Sequence, residues 1–397
     1  MSLDLTKLIS QVGDMVARLK ARGRERQERL EHAREALGRY AGDVEALKNK
    51  IDASRTTWLV AGLVDGLDGH HEAPATPADF TVVATDGSHI DVDRHRAARC
   101  YLINIGSVVL RYGTSPAAVL DSQPSLYSGD EDLVIAAPGV RGREQVIEGA
   151  LLGMKRAVDE ARRLSELAAE ASTDSPTVAL LDGSLILWGL EPYPEFVTEE
   201  LLDKGFLRCL EGLRKLSGER QLAVASYISF PRSMDVVNAL RVALCPRETV
   251  DSDHCPACET RECDAVAGVR DRELFAGLLE PGERSDTFIS SSKIQSRYGP
   301  HQVHFFYLNL DDEVARVEVP YWVANNDSLL GLAHSLILDQ CRRGHGYPVA
   351  LSEAHEKAVV TGADAAGFWR LVELSLVEEK LPTTGSAKSW SKRTRWV

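Results

Sequence analysis

The sequence of 397 residues lacks an apolar run long enough to cross a membrane, and its N-terminus lacks the apolar core of a signal peptide. It also lacks the phosphate-binding pattern G-x-x-x-x-G-K-[ST]. Basic residues are outnumbered by acidic ones, 46 against 59, so the net charge is −13. This balance argues against a surface coated for nucleic-acid binding, although a local basic channel remains compatible with it. A cytoplasmic protein without a phosphate loop is the expectation.

The basic residues that are present concentrate near the two ends. One cluster comprises Arg18, Lys20, Arg22, Arg24, Arg26 and Arg29, and the other comprises Lys388, Lys392, Arg393 and Arg395. Trp390 and Trp396 interleave with the second cluster, a mixture that suits backbone phosphates and base stacking. A solvated terminus is the simpler interpretation of that tail.

Residues 3–52 show the spacing of a helical heptad seam, interrupted near Gly23. The seam predicts two helical stretches that pack on each other, on the body or on a second subunit. Residues 66–79 are rich in Gly, Pro and polar side chains and indicate a linker. We therefore divide the chain into a helical segment and linker, residues 1–75, and a body, residues 76–397.

The body alternates predicted strands and helices, with hairpins between them. The strands are expected at 80–85, 100–113, 176–188, 221–230, 301–310 and 315–323, and the helices at 143–171, 199–217, 233–243, 328–343 and 364–379. The order predicts an α/β fold with a mixed sheet and helices packed on it.

Two stretches place an acid directly after a buried strand: VVATDGSHI at 82–90 and VALLDGSLI at 178–186. One Asp-Gly pair is an ordinary turn, but two copies with the same serine favour a site. Carboxylates at the ends of adjacent strands bind Mg²⁺ or Mn²⁺, and two such ions cleave phosphodiesters. Such a site usually requires a third acid and often a general base. The candidates are Glu144, Glu148, Glu353, His355 and Glu356.

The chain resembles the NurA family of DNA end-processing nucleases. The resemblance is carried, in the family's order, by VVATDGSHI, LLDGSLILW, RVEVPYWVA and GYPVALSEAHEKAVV, and it spans roughly residues 76–370. It implies an RNase H-like (Piwi-like) core and a Mn²⁺-dependent deoxyribonuclease with 5'-3' resection and endonuclease activity. It further implies a homodimer and a ring-shaped HerA-type translocase as partner in double-strand break repair.

By position, the resemblance assigns the family's metal-binding aspartates to Asp86 and Asp182 and its C-terminal histidine to His355. Its helical glutamate falls within residues 143–155, where we favour Glu148 over Glu144. Family members often carry a lysine after the strand that here ends in ASYISFPRS, and this chain has none there. Arg232 and Lys293 both remain open as phosphate contacts.

Four of the seven cysteines are clustered, with the spacing C-x9-C-x2-C-x4-C. They are Cys245, Cys255, Cys258 and Cys263. Their polar surroundings disfavour ordinary core thiols, and disulfides are disfavoured in a cytoplasmic chain. Four thiolates fit a structural Zn²⁺ or an iron–sulfur cluster, and on sequence alone we favour zinc. The resemblance does not require this cluster.

Two other classes of function compete with the nuclease. A non-catalytic nucleic-acid-binding or scaffold subunit could retain the fold, but it would not need both aspartates, a glutamate and His355. A phosphatase or phosphotransferase could use Asp-Gly turns, but it would use a different nucleophile motif or a glycine-rich loop.

Overall fold

The computed structural model describes residues 4–171 and 175–382. The second basic cluster, with Trp390 and Trp396, lies outside these residues. The helices are α1 (Ile9–Tyr40), α2 (Val44–Asp52), α3 (Ala150–Glu170), α4 (Glu195–Thr198), α5 (Leu207–Glu219), α6 (Asp235–Leu244), α7 (Asp271–Phe275), α8 (Tyr321–Ala324), α9 (Asp327–Arg343), α10 (Val349–Ala358) and α11 (Gly362–Glu378). A π-helical segment, Glu199–Phe206, joins α4 to α5.

Six of the thirteen strands in the described part of the chain fall where alternating or β-branched residues predicted them. They are β1 (Gly62–Leu63), β2 (His70–His71), β3 (Phe80–Ile90), β4 (Tyr101–Tyr112), β5 (Ala117–Tyr127), β6 (Val134–Ala136), β7 (Glu144–Val146), β8 (Thr177–Asp182), β9 (Leu222–Ile228), β10 (Arg284–Ser285), β11 (Phe288–Ile289), β12 (Val303–Asn309) and β13 (Val314–Pro320).

The chain forms two compact units. The first comprises residues 1–73, 228–292 and 304–317, and the second comprises residues 74–227, 293–303 and 318–397. The first unit is discontinuous, whereas the sequence-based division assigned everything after residue 75 to one body.

The second unit is built on a sheet with the strand order β9-β8-β3-β4-β5. Strands β3, β4 and β5 are antiparallel neighbours, and β8 and β9 run parallel to β3 and to each other. This is the RNase H-like order. Three consecutive antiparallel strands come first, and two further strands then add in parallel on the other side of the first strand. The predicted fold class, a mixed sheet flanked by helices, is confirmed.

Helices cover both faces of this sheet. Along β3, Thr85 and Gly87 face α3, and Asp86 and Ser88 face α10, as the alternation of side chains in a strand requires. Strands β3 and β8 are almost fully buried, which explains their continuous apolar runs. The apolar face of α3 packs into the same core as β8 and α5.

The first unit contains α1, α2, α6 and α7 around a separate apolar core. Its sheet includes the order β1-β11-β12-β13, and the predicted hairpin of β12 and β13 is confirmed. The predicted linker is more ordered than expected: Leu67 is buried, β2 pairs with β10, and the Gly69 N–H donates to Asp286 Oδ2 at 2.8 Å.

Two predicted boundaries are wrong. Helix α1 runs through Gly23 without interruption, and the break falls at residues 41–43 instead. One glycine inside a long helix costs only about 1 kcal/mol, which the rest of the helix offsets. The helix predicted from residue 143 begins at Ala150, because residues 144–146 pair with β6 and Gly149 has a φ of 55°. Throughout residues 4–171 and 175–382, no helix has both the length and the apolar character needed to span a bilayer.

Candidate active site

The two Asp-Gly-Ser stretches reach adjacent strands. Strands β3 and β8 are parallel, and their register pairs Thr85 with Leu181. The next residues, Asp86 and Asp182, therefore lie side by side on the two strands. Asp86 lies within β3, and Asp182 is the last residue of β8. The sheet thus fixes the backbone of both acids before any ligand binds.

Glu160 of α3 is the third acid near this site. Its side chain lies against Gly87, where there is no Cβ. A Cβ at Gly87 would lie 2.5 Å from Glu160 Oε1 and 2.9 Å from Arg156 Cγ, so a side chain at residue 87 would have to displace the Glu160 and Arg156 side chains. The hydroxyl of Thr85 donates to the Glu160 carbonyl oxygen at 3.0 Å and ties the helix to the strand. Glu160 is buried, and Arg156 Nε lies 3.0 Å from its Oε1.

A second glycine brings α10 to the opposite face. Gly106 pairs with Asp86 in the register of β3 and β4, and a Cβ there would lie 2.1 Å from the Ala354 carbonyl oxygen. Asn104 Nδ2 donates to the Ala358 carbonyl at 2.9 Å and holds the end of the helix. With α10 this close, His355 Nδ1 lies 2.7 Å from Asp86 Oδ2.

Asp182 is oriented by a tyrosine in the turn before α10. The hydroxyl of Tyr347 hydrogen-bonds to the Asp182 carboxylate, and the Tyr347 ring packs edge-on against Tyr227 with 5.4 Å between centroids. The Gly183 N–H also donates to Asp182 Oδ1 at 3.0 Å. Burial, followed by the charge of Asp182, raises the pKa of Tyr347, so the phenol stays protonated as a donor.

The acids repel one another. Burial raises the pKa of Glu160 to about 8, Arg156 opposes the rise, and the charges of Asp86 and Asp182 add to it. Desolvation also raises the pKa of Asp182, the Tyr347 hydrogen bond opposes it, and Asp86 adds to the rise. Asp182 is nevertheless an exposed residue, so its carboxylate combines contact with solvent and partial desolvation. This concentration of negative charge is suited to a bound cation.

The two glutamates that the sequence offered, Glu144 and Glu148, were expected in a helix. Glu144 lies in β7 and Glu148 precedes α3, so neither is helical, and both are exposed. Neither is among the charges that shift the pKa of Glu160. The signal for Glu160 was available, since it lies four residues before Leu164 and seven before Leu167 on the buried face of the helix. A buried acid on the apolar face of a helix is a functional candidate.

The other predicted residues lie outside this cluster. Glu353 and Glu356 share α10 with His355, but no ion pair or hydrogen bond joins either to the described acids. Lys293 is exposed in a short turn of the second unit, and Arg232 is exposed in the first unit. Arg156, which sequence reasoning missed, is the cation paired with Glu160.

The four clustered cysteines lie in the first unit and line one cavity. All four are free thiols of intermediate exposure. Burial, partly opposed by Arg241, raises the pKa of the Cys263 thiol, and Asp264, Cys245 and Cys255 add to the rise.

Comparison with known proteins decides the family. The family model described as the NurA domain matches residues 80–360, which is more than half of the chain. The chain belongs to the NurA family. NurA proteins are metal-dependent nucleases, and the matched range contains Asp86, Glu160, Asp182, Tyr347 and His355.

The chain is similar to three solved structures, each at low sequence identity. The NurA nuclease from Sulfolobus solfataricus is 12% identical, with 96% of this chain and 98% of that chain covered and a TM-score of 0.49. An Aquifex aeolicus Argonaute is 11% identical, with coverages of 70% and 28% and a TM-score of 0.26. The C-terminal lobe of a budding yeast Argonaute is 11% identical, with coverages of 77% and 50% and a TM-score of 0.28. No curated protein matches this NurA sequence.

The donor set fits the metal that the family requires. Three carboxylates and one imidazole are hard oxygen and borderline nitrogen ligands, which suit Mn²⁺ or Mg²⁺. Glu160 Oε1 is buried, and its contact at 3.0 Å with Arg156 Nε is an ion pair without hydrogen-bond geometry. Within the described ranges, no three His, Cys, Asp or Glu side chains already converge as a metal cage. Asp86 and Glu160 are instead turned toward His355 and Arg156.

Proposed function

We propose that this NurA nuclease is a Mn²⁺-dependent deoxyribonuclease that resects DNA ends 5'-3' and also cuts internally. The observation that carries the proposal is the group formed by Asp86, Glu160 and Asp182, on two adjacent strands and the helix that crosses them. A group of carboxylates on an RNase H-like sheet suits phosphodiester hydrolysis better than a scaffold. We replace the sequence-based choice of Glu148 by Glu160, because Glu160 is buried and the charges of both aspartates raise its pKa.

Asp86, Glu160, Asp182 and His355 would hold the ion. When bound, Mn²⁺ polarises the phosphate and lowers the pKa of a water molecule. The protein contributes orientation: Tyr347 and the Gly183 N–H fix the Asp182 carboxylate, and Asp86 fixes His355 through Nδ1. The Nε2 of His355 is then free to serve as a ligand or to transfer a proton at the attacking or leaving oxygen.

We further propose a homodimer that works with a HerA-type hexameric translocase in double-strand break repair in the cytoplasm. The 3-10 turn Leu5–Leu8 and the first half of α1 support an interface, because their apolar seam is exposed: Leu5 is 66%, Ile9 71% and Leu19 59% exposed. The second half packs into the first unit through Ala33, Leu37 and other buried residues. The two halves of one helix therefore differ in what they contact.

The same seam offers a clean test of assembly. Val12→Glu with Leu19→Glu would place charges on the exposed half without touching the buried half. Light scattering should show a smaller particle, or a pull-down should show weaker binding to the cognate translocase. A variant that stays dimeric and binds the partner as before would exclude this seam from both interfaces.

The enzymatic proposal is tested with purified protein, linear and circular DNA, and Mn²⁺. We expect degradation of linear DNA from its ends, nicking of circles and no activity with a chelator. Labelled 5' and 3' ends report the polarity. DNA binding without cleavage by the wild-type protein, alone and with the translocase, would favour the scaffold interpretation. The four cysteines would hold a separate structural group, zinc or an iron–sulfur cluster.

A further inference from the structure

The loop that carries the clustered cysteines has almost no apolar core of its own. It follows α6, which ends at Leu244, and it reaches the next buried residue of the first unit at Val266. Between these points only Val250 is buried. Long loops without regular core contacts need another source of order. The four cysteines are half-buried within an otherwise polar segment, so they are the natural place for a cross-link.

The ends of the loop are anchored. Lys50 Nζ donates to the Cys245 carbonyl oxygen at 2.6 Å, and Arg55 forms a β-bridge with Asp251. The chain then makes two short 3-10 turns, Ser252–Ala257 and Glu262–Val266, that bring the later cysteines back toward Cys245. The four cysteines, which are separated along the loop, therefore line the same cavity.

All four thiols line one cavity of about 300 Å³, with Pro246, Val250 and Pro256 also in its wall. A water molecule occupies about 30 Å³ of liquid volume, so the space is far larger than a single ion or water requires. The cavity that the four cysteines help to line therefore has room for a group of several atoms.

Among the described residues, the four cysteine side chains are not grouped as a ready site for a single ion. Tetrahedral zinc with Zn–S bonds of about 2.3 Å needs sulfurs about 3.8 Å apart. In the part of the chain that the structure describes, no three His, Cys, Asp or Glu side chains are grouped to hold a single ion. The sulfurs of Cys255 and Cys258 instead contact the Asp251 carbonyl at 3.9 Å and the Thr260 hydroxyl at 3.6 Å. An iron–sulfur cluster places several iron and sulfide atoms between its four thiolates, and so needs them farther apart.

We propose that Cys245, Cys255, Cys258 and Cys263 ligate one [4Fe–4S] cluster that cross-links this loop of the first unit. The cluster replaces the apolar core that the loop lacks, and its role is structural. The cavity changes our preference from zinc, which the spacing alone had favoured. This inference is independent of the nuclease assignment, because no residue of the candidate active site takes part.

The full chain, purified without oxygen, is expected to be brown and to contain about four iron atoms and four acid-labile sulfides. The colour should fade with dithionite. Cys258→Ser and Cys263→Ser should lose most of the iron and sulfide. Cys209→Ser is the matched control, since Cys209 is also half-buried but lies on α5, in the second unit. It should retain both.

If a cysteine variant fails to fold, the wild-type protein still tests the assignment. Alkylation followed by mass spectrometry should find the four cysteines protected in the brown protein and labelled after the iron is removed. About one zinc per chain without sulfide would overturn the cluster. Iron-free, zinc-free protein after anaerobic purification and reconstitution with ferrous iron and sulfide would overturn any metal at this loop.

Discussion

The same three letters, Asp-Gly-Ser, have different structural roles at the two places where they occur. Asp86-Gly87-Ser88 lies inside β3, where Gly87 is extended and pairs with Ile105 of β4. Asp182-Gly183-Ser184 lies at the end of β8, where Gly183 has a φ of 80°. The first glycine is needed because a side chain would collide with α3, and the second because its backbone is left-handed.

The serines differ as well. The hydroxyl of Ser88 donates to the Ala358 carbonyl at the end of α10. The hydroxyl of Ser184 donates to the buried carboxylate of Glu318 at 2.8 Å and accepts from the Ile186 N–H at 3.0 Å. Of the three letters, we therefore assign only the aspartates a shared role. The repeated motif indicates that two carboxylates lie on neighbouring strands. It does not indicate that the same turn occurs twice.

The largest expected effect tests that shared role. Asp86→Asn and Asp182→Asn should each reduce the rate of DNA cleavage in Mn²⁺ by on the order of a thousandfold or more, since each removes a ligand worth several kcal/mol. Asp121→Asn, on the exposed edge strand β5, is the control for loss of one charge. Unchanged melting temperatures would confirm that the fold is intact. A near wild-type rate in either site variant would contradict the pairing.

The next largest effect concerns His355, whose ring nitrogen contacts Asp86 of the first Asp-Gly-Ser stretch. His355→Ala should lower the rate by about 10²–10⁴, the range for loss of a positioned acid or base. DNA affinity should change little, because one imidazole contributes little to phosphate binding. Glu356→Gln, on the exposed face of the same helix, is the control. Equal rates for His355→Ala and the control would remove His355 from the chemistry.

Sequence patterns predicted the parts of this molecule that depend on local order. The strands of Asp86 and Asp182, the β12–β13 hairpin and the cysteine spacing are all readable along the chain. Strand β5 was missed because it is an exposed edge strand containing Pro124, without apolar alternation. The helical spacing placed Glu160 on the buried face of α3, but its approach to the aspartates depends on the contact between Gly87 and α3, which the spacing does not encode. Long-range packing, not residue type, decides which acid faces the aspartates.

Glu160 should also change the dependence of stability on pH. The ordinary pKa of 4.5 applies to the unfolded chain, and burial raises the pKa of the folded carboxyl to about 8. Between these values the folded state holds one more proton, so the free energy of unfolding falls as pH rises from 4.5 to 8. The loss is at most about 1.4 kcal/mol per pH unit.

Glu160→Gln removes this titration together with the metal ligand. Urea unfolding in a chelator should show a smaller decline in stability toward pH 8 than in the wild type, while cleavage is abolished. Mn²⁺ should raise the melting temperature of the wild type more than that of the variant. A variant whose stability declines with pH like the wild type would show that Glu160 ionises normally.

The two glycines can be told apart by asparagine, which tolerates left-handed backbone better than alanine. Gly87→Ala and Gly87→Asn should both displace Glu160, lower the free energy of unfolding by about 1–3 kcal/mol and reduce activity. Gly183→Ala should cost about 1–2 kcal/mol because of its φ, whereas Gly183→Asn should recover much of it. Recovery by asparagine at residue 87, or none at 183, would contradict the distinction.

The last comparison separates the serines, and Ser88 should show the smallest effect. Ser184→Ala removes a donor from Glu318, which is 1% exposed, and should lower the free energy of unfolding by about 1.5–3 kcal/mol, the range for a hydrogen bond to a charged group. The Leu185 N–H still donates to the same carboxylate oxygen at 2.9 Å, which favours the lower end. Ser88→Ala should cost about 0.5–1.5 kcal/mol or less, because the Ala358 carbonyl keeps its hydrogen bond from Asn104. Urea unfolding at fixed pH measures both, and an equal cost at the two sites would mean that the serines, like the aspartates, have equivalent roles.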